Sequence, residues 1–122
     1  MHAIPEGNYD LALFLDSFHE MGNTAAVAAY VRSLLSRNGT LMLVEQKAGD
    51  RLEDNLHPGG RLCLSFSTMI CVPAAINQGE KDALGAQAGP RRLEEVLRAG
   101  GFTRIRKTCE SPLHMVIEAK CG

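Results

Sequence analysis

Two short apolar runs constrain the fold of this chain more than any other feature. Tyr9 to Leu15 is a nearly continuous apolar run, and Thr40 to Glu45 is a second one with an acid at its C-terminal end. Each run is too short for a buried helix. Each therefore predicts a strand covered on both faces, as in a parallel sheet.

The segment between the two runs predicts a helix. Asn23 or Thr24 can cap its start, and Asn38-Gly39 predicts its end. One helical face carries the apolar residues of the segment, Val27, Val31, Leu34 and Leu35. Strand, helix and strand together form a βαβ unit with a right-handed crossover.

The middle of the chain departs from this alternation. Ala48 to Gly60 is rich in charged and turn-forming residues and predicts a loop. Arg61 to Cys71 predicts a helix that ends before Pro73, because proline and the residue before it disfavour a continued helix. Asn77 to Gly89 is polar and glycine-rich, which predicts a surface connection or a lid.

The last part of the chain predicts a helix and a hairpin. Pro90 marks a helix start and Gly100-Gly101 its end. Thr103 to Cys109 and Leu113 to Ala119 are separated by a short turn and predict an antiparallel pair. The order is β-α-β, a helical insertion, then α-β-β, which predicts an α/β fold with a mostly parallel sheet.

Composition narrows the class of protein. The 122 residues predict one domain, and 13 Lys+Arg against 14 Asp+Glu give a net charge of -1. Such a balance attracts neither nucleic acid nor an anionic bilayer. The apolar stretch Leu62 to Ile76 is broken by polar residues and is predicted to be too short and too polar to span a membrane. The first residues carry no signal peptide pattern, so we expect a soluble cytoplasmic protein.

The four cysteines predict neither a disulfide nor a metal site. They are Cys63, Cys71, Cys109 and Cys121, with no Cys-x-x-Cys pair and no histidine at zinc-ligand spacing. We expect them to be reduced and mostly buried, since free cysteines in apolar segments behave as small hydrophobic side chains.

Six stretches of the chain resemble a known family. Tyr9-Asp10-Leu11 followed by Leu15-Asp16-Ser17-Phe18-His19-Glu20-Met21 resembles the fourth strand and following loop of class I S-adenosylmethionine-dependent methyltransferases. Arg37-Asn38-Gly39-Thr40 through Val44-Glu45 is similar to the entry into their fifth strand. Leu93 to Phe102 is similar to their helix before strand six. Gly49 to Asn55, Ser67 to Pro73 and Ala83 to Gly89 resemble the small-molecule O-methyltransferases of a bacterial group that carries a winged-helix-like N-terminal segment.

This resemblance implies the C-terminal half of a doubly wound, Rossmann-like sheet with strand order 4-5-7-6 and a helical insertion. The family holds its cofactor, S-adenosylmethionine, on a glycine-rich turn after its first strand. This chain has no such turn, and Met1 lies eight residues before the first predicted strand. We therefore expect residues 1–122 to be a partial methyltransferase domain, inactive alone and without tight cofactor binding. The alternative is a catalytically silent module that oligomerises or binds a partner.

The resemblance also implies site residues. His19 would be the general base for a small-molecule acceptor, and Glu45 would orient it, although an ordinary solvated strand-end acid is an equal alternative. Asp16, Ser17 and Phe18 would line the cofactor. The residues that would face the substrate are Glu20, Met21, Arg61 and Met69. For Met69 the favoured alternative is a position in the hydrophobic core.

A missing N-terminal half has a consequence for association. The edge of the strand Tyr9 to Leu15 would be open and apolar, and such edges pair with other chains. We therefore expect a homo-oligomer that buries this edge, by strand pairing across a two-fold axis.

Overall fold

The computed structural model describes residues 4–79 and 83–121. Four strands form one sheet, and four α-helices, two 3₁₀ turns and one π turn connect them in this part of the chain. The elements are β1 (Tyr9–Leu15), a 3₁₀ turn (Phe18–Glu20), α1 (Thr24–Leu34), β2 (Leu35–Gln46), a 3₁₀ turn (Leu52–Asn55), α2 (Pro58–Phe66), a π turn (Ser67–Cys71), α3 (Val72–Asn77), α4 (Pro90–Ala99), β3 (Arg104–Glu110) and β4 (His114–Lys120).

The sheet has the order β1-β2-β4-β3. β1 and β2 are parallel, with Leu13 opposite Met42, and β4 pairs antiparallel with both β2 and β3. With β1 taken as strand four of the doubly wound fold, this is the predicted order 4-5-7-6. The α/β class, the strand order and the antiparallel last pair are confirmed.

The start of α1 agrees with the sequence prediction, and its end does not. Asn23 is the N-cap, and its side chain accepts a hydrogen bond from the Ala26 N–H at 3.2 Å. The helix ends at Leu34, so Asn38-Gly39 does not end it, and β2 begins at Leu35. Gly39 instead lies inside β2, where a Cβ would approach the Tyr9 carbonyl oxygen to 2.9 Å. Close pairing of the two strands, with a register shift between Tyr9 and Leu11, explains the glycine.

The core lies between the sheet and helices α1 and α4. Alternate residues of β2 and β4 point into it, as expected for strands with one buried face. Gly100-Gly101 ends α4 as predicted, and Gly101 takes a φ of 97° there. The buried cluster is Phe18, Val27, Ala28, Val31, Leu35, Leu41, Leu43, Ala88, Leu93, Val96, Leu97, Phe102, Met115, Ile117 and Ala119.

The prediction that β1 is covered on both faces is wrong. Leu11, Leu13 and Leu15 lie on one face of β1 and are 51%, 51% and 65% exposed. Ala12 and Phe14, on the other face, pack against the core. No described element covers the first face, so the three leucines form an open apolar patch, which we call the β1 surface.

The helical insertion also differs from the prediction. The loop predicted over Ala48 to Gly60 contains a 3₁₀ turn, and α2 already begins at Pro58. The helical run then passes through the π turn and Pro73 to Asn77. A π turn widens the helix just before the proline, which accommodates the ring and the missing N–H.

This run from 58 to 77 is long and apolar enough, by length and composition alone, to cross a membrane, and 22% of its most apolar window is buried. The sequence prediction of a run too short to span is therefore wrong in length. One such helix is weak evidence for a membrane segment. The connection predicted over Asn77 to Gly89 lies partly outside the described residues; within it Ala86 is buried, and its N–H donates to Ser67 Oγ at 3.1 Å.

Gly60 is the tightest backbone approach in the described part of the chain, and it yields a prediction. A Cβ at Gly60 would lie 1.9 Å from the Asn55 carbonyl oxygen, whereas one at Gly59 would meet only the His57 ring at 3.5 Å. We expect Gly60→Ala to lower the free energy of unfolding by about 1–3 kcal/mol, because backbone must move to make room. Gly59→Ala is the matched control, and we expect it to leave stability unchanged or raise it by up to about 1 kcal/mol. Urea unfolding followed by circular dichroism measures both, and equal effects would contradict this account of the contact.

Candidate functional site

The candidate site lies where β1 and β2 end side by side. The Asp16 N–H donates to the Val44 carbonyl oxygen at 2.7 Å, which closes the end of β1 onto β2. Asp16 takes a φ of 53° and turns the chain back. The 3₁₀ turn Phe18–Glu20 then places the His19 ring beside Glu45. Carboxyl ends of parallel strands are where doubly wound folds place ligands.

His19 and Glu45 form a buried pair. The His19 Nδ1 contacts Glu45 Oε2, and the two residues are 1% and 3% exposed. Because a carboxylate only accepts hydrogen bonds, Nδ1 is the donor, and Nε2 of the neutral ring keeps its lone pair. Glu45 is therefore a buried partner and not a solvated strand-end acid, and its position suits the orienting role that stays a prediction.

The pair sets the protonation of the imidazole. Burial lowers the pKa of His19, but the hydrogen bond and the negative charge of Glu45 outweigh it, with smaller contributions from Asp16 and Glu20. The net result is a pKa raised above 6.5. The ring is therefore a stronger proton acceptor than an ordinary histidine.

The predicted cofactor-lining residues separate into two groups. Asp16 is exposed, and its carboxylate lies 3.9 Å from His114 Nε2; Ser17 is half-buried. Phe18 is fully buried, packs edge-on against Phe14 at 5.3 Å between ring centroids, and donates its N–H to Glu45 Oε1 at 3.1 Å. The ring of Phe18 is thus not available to a ligand in this structure. Its role is to fix Glu45 and the core.

The predicted substrate residues do not all lie together. Glu20 follows His19 directly, and Met21 packs at the margin of the core. Arg61 is exposed on α2, and Met69 is 76% exposed on the π turn, so the core alternative for Met69 is wrong. The π turn points Ser67 and Cys71 inward instead. The structure places Glu20 beside His19, and the substrate-facing roles of all four residues stay predictions.

Cys71 is a site residue that the sequence argument missed. It is 4% exposed, and its thiol donates to Glu20 Oε1 at 3.4 Å. Burial, followed by the hydrogen bond and charge of Glu20, raises the pKa of this thiol to about 11. Cys71 lies on the π turn, and its sulfur lies within 4.8 Å of a ring nitrogen of His19. The expectation of mostly buried cysteines holds for Cys71 but is wrong for Cys109, which is exposed.

Two overlapping sets of side chains could hold a metal ion. In each set, one ligand atom from every residue lies within 4.8 Å of the others. One set is His19, Glu20 and Cys71, and the other is Asp16, His19 and Glu45. In the second set, His19 already contacts Glu45 through Nδ1.

Comparison with solved structures gives the same fold for this chain. The structure titled "PigF with SAH" superposes with a TM-score of 0.68 at 14% identity, over 96% of this chain and 32% of its own. Human N-acetylserotonin methyltransferase in complex with SAM gives 0.68 at 17% identity, over 100% and 31%. An O-methyltransferase family protein from Burkholderia thailandensis gives 0.63 at 17% identity, over 94% and 31%.

These likenesses show a Rossmann-like fold with the predicted strand order. The chain spans about a third of the length of the solved structures that it matches. No protein-family model matches the chain, and no curated protein matches it in sequence.

Proposed function

We propose that this chain supplies the acceptor-activating part of an S-adenosylmethionine-dependent methyltransferase that acts on an oxygen or nitrogen of a small molecule in the cytoplasm. The observation that carries the proposal is the buried His19–Glu45 pair at the carboxyl ends of two parallel strands. Neighbours of the same fold hold SAH or SAM. S-adenosylmethionine, when bound, supplies an electrophilic methyl group.

The residues of this chain fit one wall of such a site. Asp16 and Ser17 lie in the turn after β1, where a ligand can reach them. No glycine-rich turn follows a first strand in residues 4–79 and 83–121 to receive the rest of the cofactor. We therefore propose that the chain alone binds the cofactor weakly and is inactive.

The chemistry of this chain is proton removal. His19 Nε2 takes the proton of an acceptor hydroxyl or amine as that atom forms its bond to the methyl group. The Glu45 carboxylate balances the positive charge that the ring acquires and holds Nδ1–H, so the ring cannot rotate. Glu20 and its neighbours position the acceptor, and this positioning supplies the rest of the rate enhancement that this chain contributes.

A chimera tests the proposal. Residues 1–122 replace the matched segment of human N-acetylserotonin methyltransferase, and methyl transfer is measured against a panel of phenols, amines and the host's own acceptor. We expect cofactor binding and turnover in the chimera and neither in the isolated chain. A folded chimera that binds the cofactor but methylates no member of the panel would contradict the proposal.

The β1 surface favours a second candidate, a silent module that self-associates. Leu11, Leu13 and Leu15 are exposed, and the free edge of β1 has no partner among the described strands. A cavity of about 270 Å³ next to them is lined by apolar residues of β1 and α1. Open apolar edges pair with other chains, and we propose a homodimer through this edge.

Two lysines should prevent this association. We expect the wild-type chain to sediment as a dimer at micromolar concentration and Leu13→Lys/Leu15→Lys to sediment as a monomer, because burying the charges at the interface is unfavourable. Leu113→Lys, at an exposed leucine in the β3–β4 turn, is the matched control and should remain dimeric. A wild-type chain that sediments as a monomer would rule out self-association through β1.

A further inference from the structure

His19, Glu20 and Cys71 form a side-chain cluster that the proposed function uses only in part, and His19 and Cys71 are buried in it. Methyl transfer requires the His19 lone pair, but it gives no role to the Cys71 thiol. The Cys71 side chain lies on the π turn, and π turns are frequent at functional sites. The three residues come from two segments that pack against each other.

The distances within the cluster are close to those of a tetrahedral metal site. With about 2.3 Å for Zn–S and about 2.0 to 2.2 Å for Zn–N and Zn–O, tetrahedral angles place the ligand atoms about 3.3 to 3.7 Å apart. Here Cys71 Sγ lies 3.4 Å from Glu20 Oε1, and His19 Nε2 lies 3.9 Å from the same oxygen. The three ligand atoms all lie within 4.8 Å of one another. Side-chain movements of up to about 1 Å close the remaining difference.

The surroundings already have the form of an outer coordination shell. Glu45 accepts from His19 Nδ1, which leaves Nε2 as the ligand atom, as in carboxylate–histidine–zinc arrangements. Gln78 Nε2 donates to the Glu20 carbonyl oxygen at 2.8 Å and ties the 3₁₀ turn to the end of α3. No hydrogen bond to Nε2 is formed by the residues that the structure describes.

We propose that His19 Nε2, Glu20 Oε and Cys71 Sγ form a Zn²⁺ site with three protein ligands and one open position. Thiolate and imidazole favour zinc over magnesium or calcium, which prefer oxygen ligands alone. The Glu20 side chain is 40% exposed, and the open position faces that side. On binding, the Cys71 thiol releases its proton to solvent and the thiolate bonds to zinc, with no change in oxidation state.

Zinc binding opposes the proposed proton transfer. The Nε2 lone pair cannot bond to zinc and accept an acceptor proton at the same time. Bound Zn²⁺ therefore inhibits methyl transfer in this proposal, a consequence that depends on the proposed function. The binding itself does not depend on it.

Cobalt spectroscopy tests the site without any turnover. Co²⁺ is titrated into the chain, and we expect one equivalent to give the visible bands of a four-coordinate ion and a thiolate-to-cobalt charge-transfer band, both removed by Zn²⁺. Cys71→Ser should abolish the charge-transfer band and weaken binding by more than the roughly 10- to 100-fold expected for Glu45→Gln. Cys109→Ser, at an exposed cysteine, is the matched control and should bind as the wild type does.

These measurements distinguish failure of the zinc site from failure of the proposed function. Circular dichroism confirms that each variant keeps its fold, and Zn²⁺ calorimetry gives the stoichiometry. Unchanged Co²⁺ affinity in Cys71→Ser, or a six-coordinate spectrum without a charge-transfer band, would overturn the site. Zinc binding by a chain whose chimera transfers no methyl group would leave the zinc site standing and remove the proposed function.

Discussion

Replacing His19 with glutamine in the chimera should lower kcat by about 10²- to 10⁴-fold, the usual contribution of a positioned general base. Glutamine keeps a donor for the buried Glu45 carboxylate but has no basic nitrogen at the position of Nε2. KM for the acceptor should change much less, because the ring acts on the proton and not on acceptor binding. Initial rates with labelled S-adenosylmethionine give both constants.

The pH profile distinguishes a base from a structural residue. The pKa of His19 is raised above 6.5, and only the neutral ring can accept a proton. The rate should therefore rise as the pH rises through the folded-state pKa of His19. His57→Asn is the matched control, since His57 caps α2 by accepting from the Gly60 N–H and asparagine can do the same. Turnover in His19→Gln equal to that of the control would exclude His19 as the base.

The strands were predictable because their signal is local, whereas their order in the sheet was an expectation from the family resemblance. An apolar run of fixed length, a helical face and a short turn specify a βαβ unit and a hairpin without any distant contact. The closeness of His19 and Glu45 followed from the same logic, since carboxyl ends of neighbouring parallel strands meet. Both residues lie within a few positions of those ends.

The features that escaped prediction depend on tertiary contacts. Helix geometry through Pro73 requires a π turn, which no periodicity reveals, and that turn brings Cys71 to Glu20 and turns Met69 outward. The end of α1 at Leu34 depends on β2 pairing with Tyr9. The exposure of Leu11, Leu13 and Leu15 could not be read from a run that is apolar on both faces.

Glu45→Gln should produce the largest change in stability, and the change should depend on pH. At pH 5.5, below the unfolded value of 6.5, the buried His19 ring is protonated beside Glu45, and we expect a loss of about 3–5 kcal/mol in the free energy of unfolding, as for a broken buried pair. At a second pH, chosen above the folded-state pKa of His19, the ring is neutral and only its hydrogen bonds are altered, so the loss should be about 1–3 kcal/mol. Urea unfolding at the two pH values measures the difference.

The sign of this pH dependence follows from linkage. The folded-state pKa of His19 lies above the unfolded value of 6.5, so the contribution of the pair is fully present below 6.5 and is lost as pH rises through the folded-state pKa. In Glu45→Gln the burial of the ring is no longer outweighed, and the pKa of His19, followed by NMR, should fall. Glu118→Gln is the matched control: Arg106 lowers the pKa of Glu118 below 4.5, so that carboxylate is ionised at both pH values and its loss should be the same at each. An equal loss for Glu45→Gln at both pH values would mean that Glu45 does not hold the proton of His19, and the orienting role would fail with it.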